Sequence, residues 1–360
     1  MSIHRIVLTG GPCGGKTTAL AKIHERLTSL GFRVFMVPEA ATMLITGGVT
    51  FANATAEHVV AIESSLIQMQ IALEDAFLAI AKSTGAPSVV ICDRGTMDVC
   101  AYLPAPSWQA LMDEQGWTTV ALRDRRYDAV LHLVTAADGA EQFYTTANNA
   151  ARSESPERAR MLDHKLREVW LGHPHLRIID NANDFADKMK RVLQAVCRVT
   201  GIPEPVEVER KYLVKAAPDV LPVKHEEVEI EQSYLMTGDG SEARVRRRGQ
   251  RGSYTYTHTI KRPQKSGQRV EIERSLSGRE YVGLLSQRDP MRKTVRKKRT
   301  CFLWNGLYLE LDRFIEPRPG LILLEVELDD EATKITLPPW LEIDRDVTDD
   351  RNYSNYMIAG

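Results

Sequence analysis

At Gly201-Ile202-Pro203-Glu204-Pro205-Val206 the chain changes its period. Upstream, apolar residues recur every three or four positions between short β-rich runs. Downstream, charged residues recur at every second position through strand after strand. The first spacing belongs to helices and the second to strands, so the two halves cannot share one architecture. Pro203 and Pro205 mark the break, because each lacks an amide donor and holds its predecessor extended. This reading places one domain at 1–200, a linker at 201–206 and a second domain at 207–360, and a chain of 360 residues has room for two cores.

Composition sets outer limits. Apolar content of 43% and charged content of 26% are those of a soluble globular chain and exclude a disordered one. No run approaches the roughly 18 apolar residues needed to cross a bilayer, and Met1–Leu8 is too short for a signal peptide. Five cysteines, scattered and without a CxxC pair, argue against a disulfide framework or a zinc site and for a reducing cytosol. The formal net charge of -1 says little, because it sums blocks of opposite sign.

In the first half, Ile3–Thr9 reads as a strand that ends in Gly10-Gly11-Pro12-Cys13-Gly14-Gly15-Lys16-Thr17-Thr18, followed by a helix to Leu30. The run fits G-x-x-x-x-G-K-[ST] in the strand-then-helix setting which that motif needs. Its glycines let backbone amides turn inward around phosphate oxygens, with the positive end of the helix aimed at the same place. Lys16 then reaches the β- and γ-phosphates and Thr17 coordinates Mg²⁺. A second strand at 33–37 delivers Glu39, as metal-water or hydroxyl ligand or as a helix cap. A third, at 88–92, delivers Asp93 and Arg94. Asp93 is placed to hold Mg²⁺ or activate an attacking hydroxyl, and Arg94 to hold an anion; an Asp cap with a surface arginine is the alternative. The apolar residues from Val59 to Ile80 predict a long helix with one buried stripe. Strands at 127–134 and 176–179 and a helix at 184–199 complete the alternation. His132 reads as a packed strand residue. The polar stretch 139–160, with Arg152, Arg158 and Arg160, reads as a mobile lid over the γ-phosphate or as solvated helix charge. The expected fold is a parallel α/β sheet with helices on both faces. Val37–Ala41, Asp93-Arg94-Gly95 and Tyr144–Asn149 resemble the P-loop nucleotide-kinase-like ATPases grouped with nicotinamide riboside kinase. The resemblance implies ATP or GTP bound with Mg²⁺ and phosphoryl transfer to a small acceptor.

The second half predicts at least seven charged strands. Glu207, Glu209 and Lys211 alternate, as do Arg244, Arg246 and Arg248; Arg269, Glu271 and Glu273; Lys297 and Arg299; Glu310 and Asp312; and Glu325 and Glu327. A solvated sheet face gives the same pattern. The signs, however, fall in blocks on separate strands. If the sheet closes, the blocks meet across a lumen too polar for a core, suited to a triphosphate on Arg and Lys with Mg²⁺ or Mn²⁺ on the carboxylates. Glu207-x-Glu209-x-Lys211, Arg244-x-Arg246, Lys261, Arg269-x-Glu271-x-Glu273, Lys297-x-Arg299, Leu311–Phe314, Glu325-x-Glu327 and the close Val347–Asn355 resemble, in order, the CYTH domains, or triphosphate tunnel metalloenzymes. The resemblance implies an α+β domain on a closed antiparallel β-barrel. Its metal site is implied at Glu207, Glu209, Glu325 and Glu327, with Glu271, Glu273 and Asp312 as further carboxylates. Its triphosphate grip is implied at Lys211, Arg244, Arg246, Lys261, Arg269, Lys297 and Arg299. Catalytic roles fall to Lys16 and Asp93 in the first site and to Glu207, Glu209 and Lys211 in the second, with Arg152 among the nucleotide ligands.

The domain order is similar to that of the TRPL translocation defect family, GTP- and phospholipid-binding proteins of membrane trafficking. Two functions therefore stand. One is a nucleotide-binding, kinase-like domain joined to a metal-dependent triphosphatase. The other is a non-catalytic regulator holding an acidic phospholipid headgroup, with the basic runs 244–251 and 288–299 drawn to acidic lipid. Nucleic acid is not expected, because carboxylates interleave the basic residues. The setting implied is cytoplasmic or peripheral at membranes.

Overall fold

Strand β1 (Ile3–Thr9) is the centre of the first unit, and its neighbours follow from the order of the chain. The computed structural model describes residues 2–144, 155–202, 208–238, 241–263, 269–328 and 333–360. After β1 come α1 (Lys16–Ser29), β2 (Arg33–Val37), α2 (Ala40–Thr46), α3 (Ala56–Ser83), β3 (Ser88–Asp93), α4 (Ala105–Gln115), β4 (Ala129–Leu133), α5 (Pro156–Glu168), β5 (Leu176–Ile179) and α6 (Phe185–Val199). The strands form one parallel sheet in the order β2-β3-β1-β4-β5. Ile6 and Leu8 of β1 pack with Val89, Ile91, Leu131 and Leu133 against Ile23 and Leu27 of α1 and Val192 and Val196 of α6. Continuous apolar strands of this kind are buried on both faces.

Helix ends are set by local chemistry. Thr55, Ser155 and Asp184 each accept an amide hydrogen bond at the start of α3, α5 and α6, and Gly116 at φ 64 closes α4. One expectation is corrected. The buried face of α3 is Ile62, Glu63, Ile67, Gln70, Glu74 and Ala81, while Leu66, Met69, Leu73 and Phe77 are half-buried and Ile80 is exposed. The stripe is rotated because Arg5 and Arg126 reach Glu74 and draw a polar row inward.

The division between units falls after Pro205. The second unit runs β6 (Val208–Ala216), β7 (His225–Leu235), β8 (Glu242–Gln250), β9 (Ser253–Pro263), β10 (Arg269–Leu276), α7 (Gly278–Leu285), β11 (Val295–Trp304), β12 (Leu307–Glu316), β13 (Ile322–Leu328), β14 (Glu342–Asp346) and α8 (Asn355–Ile358). All nine strands pair antiparallel in the order β10-β9-β8-β7-β11-β12-β13-β6-β14. Among the described residues no pairing joins β14 to β10, so the hydrogen bonding shows an antiparallel sheet and not the expected closed barrel. One face carries Leu309, Leu311, Leu324, Val326 and Phe302, covered by Leu221 and Leu341. Alternation sends the neighbours of these residues to the other face.

A buried histidine makes the first unit sensitive to acid. His173 is fully buried; the His175 amide donates to its Nδ1 at 3.1 Å, and its Nε2 lies 3.1 Å from the Tyr127 carbonyl. Burial pushes it from 6.5 down to about 3. Its folded value lies below its unfolded one, so the unfolded chain takes the proton first and stability falls as pH drops below 6.5. We expect about 1.4 kcal/mol lost per pH unit through this group. Denaturant melts at pH 6.5 and pH 5 should show a smaller drop for His173→Gln than for the parent; equal drops would refute it.

Candidate functional sites

The loop after β1 folds as only glycine permits at two positions. A Cβ on Gly10, at φ 130, would lie 2.1 Å from the Leu133 carbonyl oxygen, and one on Gly14 would lie 2.5 Å from the same atom. Pro12 accepts from the Thr135 hydroxyl at 2.5 Å, and Cys13 itself sits in the left-handed region at φ 58. Gly15 precedes α1, whose first turn offers Lys16, Thr17 and Thr18, the two threonines exposed. Lys16 Nζ turns back and donates to the Gly10 and Gly11 carbonyls at 3.0 and 3.1 Å. Arg94, at φ 74, donates through Nη1 to the Gly10 carbonyl at 2.8 Å and through Nε to Glu39 Oε1 at 3.2 Å. Asp93, Arg94, Glu39 and Lys16 thus meet at the carboxyl ends of β3, β2 and β1, although their strands lie far apart in sequence.

The electrostatics of this site are tense. Burial, with Arg94 nearby, pushes Lys16 down to about 8 against the pull of Asp93 and Glu39. Burial raises Asp93, with Lys16 opposing, and Asp93 Oδ1 is sealed from water without a hydrogen-bond partner. Burial also acts to raise Glu39, but Arg94 and the Thr42 hydroxyl outweigh it and hold it low. Arg160 donates to the Ala137 carbonyl at 2.7 Å, whereas Arg152 lies outside the described residues.

In the second unit, cross-strand register gathers the charges on one face. Lys211 pairs with Glu325 and Glu209 with Glu327; Glu325 pairs with Glu310, Asp312 with Arg299, Ile230 with both Lys297 and Arg248, Gln232 with Arg246, Tyr234 with Arg244, and Thr259 with Arg244 and Glu273. Lys261 stands opposite Glu242 on the same side. Register positions of β10 hold Arg269 and Glu271, whose side chains, like the whole of Glu207, lie outside the described residues.

Within this face the cations are already engaged. Lys211 Nζ lies 3.0 Å from Glu325 and 3.4 Å from Glu209. Arg299 reaches Asp312 through Nε at 2.7 Å and Nη2 at 2.6 Å, Glu325 at 2.5 Å, and Glu310 through Nη1. Lys297 Nζ lies 2.5 Å from Asp312 and 3.3 Å from Asn355 Oδ1. Against the upward pull of burial, Lys297, Arg299 and Lys211 hold Glu325 far below the usual carboxylate range. Glu209 moves the other way, raised by burial and by Glu325. Burial and Arg244 push Arg246 down to about 10. Asp312 is therefore spent on Lys297 and Arg299, and Glu273 accepts from Thr259 at 2.8 Å. Among the described residues no three acidic, histidine or cysteine side chains are gathered as a metal-holding group.

Comparison with known proteins now bears on both units. Residues 5–188 match the model of the AAA domain and residues 206–353 that of the CYTH domain. An inorganic triphosphatase of Nitrosomonas europaea is 32% identical over 157 residues, 42% of this chain and 96% of its own length. The chain belongs to both families. A second inorganic triphosphatase, from Acetivibrio thermocellus, is 28% identical over 42% of this chain and 92% of its own length. A crystal structure of an inorganic triphosphatase is 31% identical, covers 43% of this chain and 95% of its own, and gives a TM-score of 0.34.

The AAA domain holds a residue that the sequence reading passed over. Asp163 on α5 is fully buried and accepts from the Gly11 amide at 2.8 Å and the Thr135 amide at 3.0 Å; its Oδ1 lies 3.1 Å from His132 Nε2, and Oδ2 lies 3.2 Å from Arg167 Nε. No spacing signals it, since Gly11 and Asp163 are 152 residues apart. In the CYTH domain the basic runs divide between faces. Arg247 and Arg296 point away from the charged face and pair with Glu231, which weakens the expected attraction to acidic lipid. No described helix is long and apolar enough to cross a membrane.

Lys16 gives the sharpest test of the AAA site. Lys16→Ala is expected to weaken Mg²⁺–nucleotide binding about 100-fold, the loss of one or two charge-assisted hydrogen bonds. Titration with a fluorescent ATP analogue checks this, and undiminished affinity contradicts the assignment.

Proposed function

We propose that this chain is a two-site phosphate enzyme, with a nucleotide-binding site at Gly10–Thr18 and a triphosphate-hydrolysing site on the charged face of its CYTH domain. The carrying observation is the separation of signs on that face. Carboxylates collect on β6 and β13, and Arg244, Arg246 and Arg248 collect on β8. Arg246 lies among Arg244, Arg248 and Arg299 with Glu273 as its main opposing charge. Such an arrangement favours a multiply charged anion gripped at one side and neutralised at the other. The matched relatives bear the name inorganic triphosphatase, which supports the same reaction here. In this reading the sheet closes around the substrate as a tunnel, with domains at 1–200 and 207–360.

Both sites suit a divalent cation. In the AAA domain the sealed, unpartnered Asp93 Oδ1 and the exposed Thr17 hydroxyl are hard oxygen donors of the kind Mg²⁺ takes. In the CYTH domain burial, and then its neighbour Glu325, raise Glu209 against the pull of Lys211, and a bound cation would favour its ionised form. Glu209, Glu325 and Glu327, with Glu207, would hold Mg²⁺ or Mn²⁺ there. Bound, the ion lowers the cost of negative charge at phosphorus and eases deprotonation of the attacking water. The chain's own residues do the rest. Arg244, Arg246, Lys261 and Arg299 orient the phosphates, and Lys211 places a positive charge beside Glu325. Lys297 holds Asp312 so that the Arg299 fork stays aimed. In the AAA domain, Lys16 exchanges its carbonyl partners for the phosphates of ATP or GTP, and Asp93 is positioned for the hydroxyl of a small acceptor.

Phosphate release from tripolyphosphate by the full chain, with Mn²⁺ or Mg²⁺, tests the CYTH assignment. Glu325→Gln and Glu327→Gln should each lower kcat/KM at least about 100-fold, while Lys16→Ala should leave it intact. Turnover that survives both glutamate substitutions would sink the proposal.

A further inference from the structure

The phosphate loop opens with Gly10 and Gly11. A peptide between two glycines is the one most free to turn over, because neither residue carries a Cβ to resist the rotation. Here it is held from both sides. The peptide is planar and trans, so its carbonyl and its amide point in opposite directions. The Gly10 carbonyl accepts from Lys16 Nζ at 3.0 Å and from Arg94 Nη1 at 2.8 Å. The Gly11 amide donates to Asp163 Oδ1 at 2.8 Å. Two cations thus face the negative end of the peptide dipole and a carboxylate faces its positive end. Turned over, the peptide would aim its oxygen at Asp163 and its N–H at Lys16 and Arg94, and both contacts would be repulsive.

Asp163 is built firmly into this position. It is fully buried on α5, and the same Oδ1 accepts from the Thr135 amide at 3.0 Å and lies 3.1 Å from His132 Nε2. The Thr135 hydroxyl in turn donates to the Pro12 carbonyl, one residue further along the loop. A Cβ on Gly11 would lie 2.8 Å from Asp163 Oδ1, so the loop backbone rests directly on the carboxylate. Burial acts to raise Asp163, but His132, Arg167 and the Gly11 amide outweigh it and hold it at about 2. It is therefore ionised at neutral pH. On charge alone, a carboxylate is a poor neighbour for a loop that receives phosphates. Buried ion pairs are also weak evidence for stability. What this geometry does supply is a fixed orientation of the loop.

We propose that Asp163 is a positioning residue of the nucleotide site. By holding the Gly11 amide it fixes the Gly10–Gly11 peptide in the orientation from which the rest of the loop, Pro12 to Lys16, wraps a phosphate. Lys16 leaves the Gly10 carbonyl when it turns to a phosphate, and from then on Arg94 and Asp163 hold the peptide between them. Ordering of the loop is then not left to the ligand, which raises affinity without any contact between Asp163 and the nucleotide. The proposal rests on the nucleotide-binding reading of this loop.

Displacement of a fluorescent ADP analogue from the full chain by Mg²⁺–ADP, well below the thermal midpoint, tests it in Asp163→Ala and Asp163→Asn. Charge alone predicts tighter ADP in both, since a negative group leaves the neighbourhood of the phosphates. A purely structural carboxylate predicts a lower thermal midpoint with unchanged affinity. Positioning predicts weaker ADP. The loss should be at least about tenfold in Asp163→Ala, the size of one hydrogen bond to a charged group. It should be smaller in Asp163→Asn, whose amide oxygen can still accept from Gly11. In the chain without ligand, labelled at glycine for NMR, the Gly11 amide proton should lie downfield and move upfield in both variants. Unchanged or tighter ADP in the variants, or an unmoved Gly11 resonance, overturns the proposal; where Asp163→Ala does not fold, Asp163→Asn decides alone. A parent chain that binds no ADP overturns the nucleotide reading together with this one, whereas a binding parent with unaffected variants overturns this one only.

Discussion

Strand register is what the chemistry of residues 206–360 depends on. Side chains alternate with period 2, so a slip of one residue on any strand exchanges its two faces. Were β13 to slip against β12, Glu325 and Glu327 would enter the layer of Leu309, Leu311 and Phe302, and Leu324 and Val326 would meet Lys211 and Arg299. Both changes are costly, since one buries unpaired charge and the other wets apolar surface. The apolar layer therefore locks the position of every charged group opposite it. An irregularity at Arg296/Lys297 shows the same rule: beyond it Arg296 turns outward to Glu231, whereas Lys297 turns inward to Asp312.

The locked face is a set of mutually dependent charges. Arg299 touches Asp312, Glu325 and Glu310 at once, and Lys297 and Lys211 reach two of the same acids. Removing one member strands the others in a poorly solvated place, which commonly costs about 3–5 kcal/mol. Arrangements of this kind are weak evidence for stability and better evidence for a task that needs the charges held in place. The AAA domain follows a similar logic with fewer groups, since Arg94 is claimed by Glu39 and the Gly10 carbonyl, and Lys16 by the Gly10 and Gly11 carbonyls.

Much of this was legible in the sequence, because the signals were local. The phosphate loop declares itself in nine consecutive residues, and the alternation of charge in β6, β8, β11 and β13 names both the strands and the residues that share a face. Other features depended on distant partners. Asp163 meets Gly11 across 152 residues, with no spacing to betray it. The face α3 buries was misread because Arg5 and Arg126, on other elements, decide that Glu74 belongs inside. The demand that Asp312 and Glu325 serve as counter-ions was equally hidden, since a list of charged residues does not say which has been claimed by another.

The self-engaged Lys16 has a consequence for selectivity. Its ammonium is bonded to two carbonyls of its own loop, so a ligand must displace contacts that already exist. An isolated inorganic phosphate offers one cluster of acceptor oxygens in return, roughly an even exchange. A nucleotide's polyphosphate tail adds the loop amides and the helix terminus to the transaction. A lysine so bonded favours a chain of phosphates that fills the whole turn over an anion that replaces only its two carbonyls.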